Sequence, residues 1–139
     1  MAEGRASAAV QGVIVDTDVL VWYLRGSEQA LRFLTRIPHH RRGVSSLGVM
    51  ELIQGCRTYD ESTQVNAFIT DGFARVVHPD ESISRRAIDL LEEHARSHGL
   101  RVVDALIAAT AIETRSSLAT ANVKHYRAIS RLRVIPFKQ

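Results

Sequence analysis

The stretch Gly12-Val13-Ile14-Val15 limits the possible folds more than any other part of this sequence. It is apolar and β-branched, and apolar and polar residues do not alternate along it. A strand with one wet face reads apolar–polar–apolar, whereas a short continuous apolar run suits a strand covered on both faces, as in a parallel sheet. Comparable short runs recur at residues 43–45, 73–77, 117–120 and 132–135. The segments between them carry helical periodicity. Residues 18–24 read as a short helix closed by Arg25-Gly26. Residues 28–37 follow, capped by Ser27 and ended by Pro38. A helix from Leu47 to about Cys56 is expected to start at Ser46 and to bury Leu47, Met50 and Ile53. Residues 60–71 turn Val65, Phe68 and Ile69 inward. A long helix from Asp80 or Ser82 to about His98 puts Ile83, Ala87, Leu90, Leu91 and Ala95 on one face, with Gly99 as its C-cap. Residues 102–114 are apolar nearly all round, as befits a helix between the sheet and other elements. Residues 122–129 read as a loop and a short helix. This alternation predicts an α/β fold with a central, mostly parallel sheet and helices on both faces.

At 139 residues the chain fits one domain, expected over residues 12–139 with residues 1–11 as an N-terminal extension. Cys56 is the single cysteine, so no internal disulfide can form. Residues 1–11 contain no apolar core of a secretory signal, and no run approaches the roughly 18 apolar residues of a membrane helix. A cytoplasmic protein with no membrane partner is expected. The formal charge of +3 is compatible with a nucleic-acid partner and does not require one. Lys124 and Lys138 are the only lysines; the other basic residues are arginines, which pair bidentately with phosphate and with carboxylate.

In open α/β sheets ligands bind outside the carboxyl ends of the strands. The predicted elements put Asp16 at the end of the first strand and Glu51 about one turn into the helix after the second. They put Asp104 near the start of the apolar helix and Asn122 just past the fourth strand. Four oxygen-bearing side chains from distant segments can thus converge on one edge of the sheet. Clustered carboxylates repel unless a cation neutralises them, and an all-oxygen set suits Mg²⁺ or Mn²⁺. No histidine or cysteine pair has zinc spacing. Each acid taken singly also has an ordinary reading. Asp104 could cap its helix and Glu51 could be a solvated helix residue; the four together favour a metal site.

These residues carry a family resemblance. Val13-Ile14-Val15-Asp16-Thr17-Asp18-Val19-Leu20, Glu51-Leu52-Ile53-Gln54-Gly55, Asp104-Ala105-Leu106-Ile107-Ala108-Ala109-Thr110-Ala111 and Leu118-Ala119-Thr120-Ala121-Asn122 with His125-Tyr126 resemble, in order and spacing, the four motifs of PIN domains of the VapC type. Those proteins are ribonuclease toxins of type II toxin–antitoxin pairs. The resemblance runs from Gly12 to Ile135 and is most specific in the block around Asp104. It implies a PIN fold, Mg²⁺- or Mn²⁺-dependent endoribonuclease activity on RNA, a cognate antitoxin and a homodimer. It further implies Asp16, Glu51 and Asp104 as metal ligands, Thr17 and Thr120 as supporting hydroxyls, and Asn122 where many relatives carry a fourth acid. Asp18 is a further candidate ligand, with a helix cap as the favoured reading. His125, where some relatives have an acid, is expected to be a packed surface residue.

Two other readings compete. Asp16-Thr17-Asp18 also resembles the opening of phosphatases and phosphotransferases with an aspartyl nucleophile, but no acidic pair follows a late strand and Lys124 is the sole internal lysine. A PIN-like module that binds RNA or protein without cutting would be favoured by loss of an acid, which only Asn122 suggests.

Overall fold

A computed structural model describes residues 11–139, and the expectation of a loose N-terminal extension falls, apart from Gln11, outside them. The elements run in the expected alternation: β1 (Gly12–Val15), α1 (Thr17–Leu24), α2 (Glu28–Thr35), β2 (Arg42–Ser45), α3 (Ser46–Gln54), α4 (Tyr59–Gly72), β3 (Arg75–Val77), α5 (Glu81–His98), α6 (Val102–Glu113), β4 (Ser116–Thr120), α7 (Val123–Tyr126) and β5 (Val134–Pro136). All five strands are parallel, in the order β3-β2-β1-β4-β5. β1 is therefore central, pairing with β2 on one side and with β4 from Gly12–Ser116 to Val15–Ala119 on the other. Its four residues are all buried, as the unbroken apolar run requires.

The sheet separates two cores. Val13 and Val15 of β1 and Ala119 of β4 point to one face, where Val19 and Leu20 of α1, Ala30 and Leu34 of α2, Leu52 of α3 and Val65 and Ile69 of α4 pack with Phe73. Ile14 and Leu118 point to the other, against Ile83, Ala87 and Leu90 of α5, the buried alanines of α6, and Tyr126. The two-residue period of a strand thus sorts neighbouring side chains into opposite layers. α6 lies inside the second layer, with Ala105, Ile107, Ala108, Ala109, Thr110 and Ala111 all buried.

Several local expectations are corrected. Ser45, not Ser46, caps α3, accepting from the Leu47 amide at 3.1 Å. Met50 is 58% exposed, and Gly48 and Leu52 form the buried face instead. The helix is rotated because Gly48 lies against Val44 and Thr17, a closeness that periodicity does not reveal. The third strand starts at Arg75 rather than Phe73, whose aromatic ring turns into the core and packs edge-on against Phe68. The last strand is Val134–Pro136. Asp80 is the cap of α5, accepting from the Ile83 amide at 2.9 Å, and the Ser82 hydroxyl bonds Glu113 instead. Gly99 ends α5 with φ 68°, the left-handed conformation that glycine adopts without penalty.

Candidate metal centre

The strand order defines where a ligand belongs. From β1 the chain steps outward to β2 and β3, then returns to place β4 on the other side of β1. The crevice between the carboxyl ends of β1 and β4 is the topological switch point, where side chains can enter from both halves of the sheet. Asp16 occupies the end of β1. Its amide continues the ladder by donating to the Ala119 carbonyl at 2.8 Å, and its extended backbone then delivers the chain into α1. The carboxylate is consequently fixed at the N-terminus of α1, with Oδ1 accepting from the Thr17 amide at 2.8 Å. Oδ2 accepts from two hydroxyls, Thr120 Oγ1 at 2.9 Å and Tyr126 Oη at 3.0 Å.

Asp18 does not cap α1. Asp16 holds that position, and the Asp18 side chain reaches across the crevice instead. Its Oδ2 accepts from the Ala121 amide at 3.1 Å and lies 3.2 Å from Thr120 Oγ1. Its Oδ1 is buried with no hydrogen-bond partner. A buried carboxylate oxygen without a donor is costly, and such an exception calls for an explanation.

Burial and then the neighbouring charge of Asp18 raise the Asp16 pKa from 3.8 to about 6, against the pull of hydrogen bonds from Thr120, Thr17 and Tyr126. Burial likewise raises that of Asp18, opposed by the Ala121 amide and the Thr120 hydroxyl. Burial, followed by the charges of Asp16, Asp104 and Asp18, pushes the Tyr126 phenol well above its usual range, so it stays protonated and remains a donor. Tyr126 thus contacts Asp16 and feels the charge of Asp104 and Asp18 as well.

Glu51 and Asp104 line a neighbouring cavity of about 580 Å³ together with Arg101, Val102, Val103, Leu91, Ala95 and Leu100. Glu51 Oε1 accepts from Thr17 Oγ1 at 2.7 Å, so Thr17 bridges the two acids: its amide holds Asp16 and its hydroxyl holds Glu51. Gly48 makes room for that bridge, since a Cβ there would come within 3.2 Å of Thr17 Oγ1. Asp104 is in the first turn of α6, but the N-cap is Arg101 and no side chain caps this helix. Asp104 Oδ2 faces His125 Nδ1 at 3.8 Å, and the same nitrogen accepts from Asn122 Nδ2 at 2.8 Å. His125 is an exposed residue on the surface, lying between Asn122 and Asp104.

All four of the expected oxygen-bearing residues lie at the carboxyl edge of the sheet. The edge has two adjoining parts, Asp16–Asp18–Thr120–Tyr126 and the walls carrying Glu51 and Asp104, the latter facing the Asn122–His125 pair. Among the described residues no three of His, Cys, Asp and Glu stand close enough together to hold a metal ion as they are. The chemistry of the donors nevertheless suits a hard divalent cation. They are carboxylates and hydroxyls, the buried Asp16 lies beside the half-buried Asp18, and one buried Asp18 oxygen has no partner. Tyr126 is the participant that sequence reasoning missed. The dipeptide His125-Tyr126 marked the position, but only the fold shows that its hydroxyl reaches Asp16, 110 positions earlier. Trp22 and Tyr23 pack partly buried against the first core, with Tyr23 stacked on Phe68 at 4.5 Å between ring centroids.

A family model for the PIN domain matches residues 13–130, and the chain belongs to that family. Ribonuclease VapC10 of Mycobacterium tuberculosis is 36% identical over 125 residues, which cover 87% of this chain and 90% of that protein. Ribonuclease VapC19 of the same organism is 34% identical over 116 residues, 81% of this chain and 90% of its own length. Among solved structures, a toxin–antitoxin complex from Klebsiella pneumoniae superimposes with a TM-score of 0.78 at 24% identity, covering 92% of this chain and 99% of that one. DNA-bound VapBC from Salmonella typhimurium gives 0.77 at 19% identity, covering 93% and 100%. The solved structures share the fold.

Proposed function

We propose that this chain is an endoribonuclease that uses Mg²⁺ or Mn²⁺ to hydrolyse RNA phosphodiester bonds, and that it is the toxin of a toxin–antitoxin pair. The observation that carries the reading is the buried Asp16 carboxylate beside the half-buried Asp18, whose Oδ1 has no partner, at the β1/β4 crevice of a chain 36% identical to a named ribonuclease. Asp16, Glu51 and Asp104 would hold the metal. A bound metal would polarise the phosphate and lower the pKa of a water molecule. Thr17 orients Glu51 and anchors Asp16, and Thr120 fixes the second Asp16 oxygen. Asn122 pairs with His125, which in turn faces Asp104. Arg101, on the wall of the same cavity, is suited to hold a flanking phosphate.

A cognate antitoxin that blocks this edge belongs to the same reading, supported by the likeness to toxin–antitoxin complexes, and a homodimer is proposed from the family resemblance alone. Action in the cytoplasm is proposed as well. No helix of the described residues is long and apolar enough to cross a membrane. The domain is proposed to span residues 12–139, with residues 1–11 as an extension.

The test is incubation of antitoxin-free protein with total RNA in Mg²⁺ or Mn²⁺, then with EDTA, beside Asp16→Asn. Discrete cuts that need the metal and vanish in the variant are expected. Cutting by well-folded Asp16→Asn protein at the wild-type rate would overturn the assignment. Intact RNA throughout, with purified candidate RNAs also uncut, would favour a binding module instead.

A further inference from the structure

The hydrogen bonds on Asp16 are unequally divided. Oδ2 accepts from both Thr120 and Tyr126, which uses both of its lone pairs, while Oδ1 accepts only from the Thr17 amide and keeps one free. We propose that Tyr126 is a positioning residue that locks Asp16 so that it offers a divalent cation a single lone pair, from Oδ1.

The surroundings make the phenol well suited to this task. Tyr126 is 2% exposed, in the second core beside Ile129 and Leu132, so its ring cannot swing away. It comes from α7, while Thr120 comes from the end of β4, so the two donors approach the same oxygen from different elements. The Thr120 hydroxyl has one proton and faces two carboxylates, Asp16 at 2.9 Å and Asp18 at 3.2 Å. It cannot satisfy both fully. The Tyr126 hydroxyl bonds Asp16 alone, and it supplies the donor that Thr120 shares. Without it, Oδ2 would be free to turn towards the cation, and the carboxylate could bind through both oxygens or rotate off the crevice. Groups that orient a metal ligand typically change affinity by about 10–100-fold when removed.

The inference rests on the metal reading above, and the experiment separates the two. Mn²⁺ is titrated into wild type, Tyr126→Phe and Asp16→Asn, and followed by electron paramagnetic resonance, which reads free Mn²⁺ and the line shape of the bound ion. Tyr126→Phe keeps the ring and is expected to weaken Mn²⁺ binding by about tenfold. It should also alter the bound line shape, a signature that a purely structural role would leave alone. Wild-type affinity and line shape in Tyr126→Phe would overturn the positioning role. Wild-type affinity in Asp16→Asn would overturn the metal assignment itself. Should Tyr126→Phe not fold, Thr120→Val, which removes the other donor to Oδ2, carries the same expectation, and unchanged binding in it would count against the proposal.

Discussion

Asp16 is a carboxylate kept where a carboxylate is least comfortable, 7% exposed and beside a second acid. Its pKa is raised on folding, from 3.8 to about 6, so the metal-free folded state binds this proton more tightly than the unfolded chain does. The resulting contribution to stability is fully present below about pH 4 and is lost as pH rises through about 6. It amounts to no more than about 3 kcal/mol. Metal-free wild type should therefore gain stability relative to Asp16→Asn as pH is lowered from 7 to 4, read as the difference between their denaturation midpoints. A difference that stays flat across this range would contradict the burial argument. Thr17 acts at the same scale. Gly48→Ala would crowd its hydroxyl and disturb Glu51, lowering cleavage about tenfold while global stability stays within about 1 kcal/mol, since alanine favours the helix. Asp16, Glu51, Asp104 and Asn122 were all legible as strand-end or helix-start polar residues. Asp18 is not the cap because a two-residue shift in where the helix starts decides which acid faces its amides. Tyr126 was invisible because its hydrogen bond crosses from a short helix to the first strand.

Among the elements, the strands and the long helices were legible because unbroken apolar runs and one-sided helical patterns encode burial directly. Their edges were less so. Met50 follows helical spacing yet faces outward, because the rotation of α3 is set by the small Gly48 against Val44 and Thr17, a tertiary contact. Arg42 is another case. It opens β2, and its guanidinium donates to the carbonyls of Leu34, Ile37 and Gly72 at 3.0, 2.9 and 2.8 Å, closing the C-terminal ends of α2 and α4. A cation at helix C-termini is favourable, and each carbonyl left without its donor is a loss. Arg42→Met should destabilise the fold by about 2–4 kcal/mol in chemical denaturation. A near-wild-type midpoint would mean that water replaces the guanidinium.

At the level of the whole molecule, the site belongs to no single segment: the N-cap of α1 and α1 itself, α3, α6, β4 and α7 each contribute a side chain. A cation held there would bind the folded chain and not the unfolded one, raising stability by about 2.7 kcal/mol at a hundred times its dissociation constant. Thermal unfolding with and without Mn²⁺ should show that rise in wild type and lose it in Asp16→Asn. The strand order has one more consequence. β4 enters the sheet next to β1 although it lies about a hundred residues later in the chain, and it brings the hydroxyl that completes Asp16. During synthesis, therefore, a growing chain carries Asp16, Glu51 and Asp104 before β4 is made to pair with β1 and fix the Asp16 carboxylate. A chain that stopped short of Thr120 would lack that hydroxyl and could not hold the Asp16 carboxylate in this way.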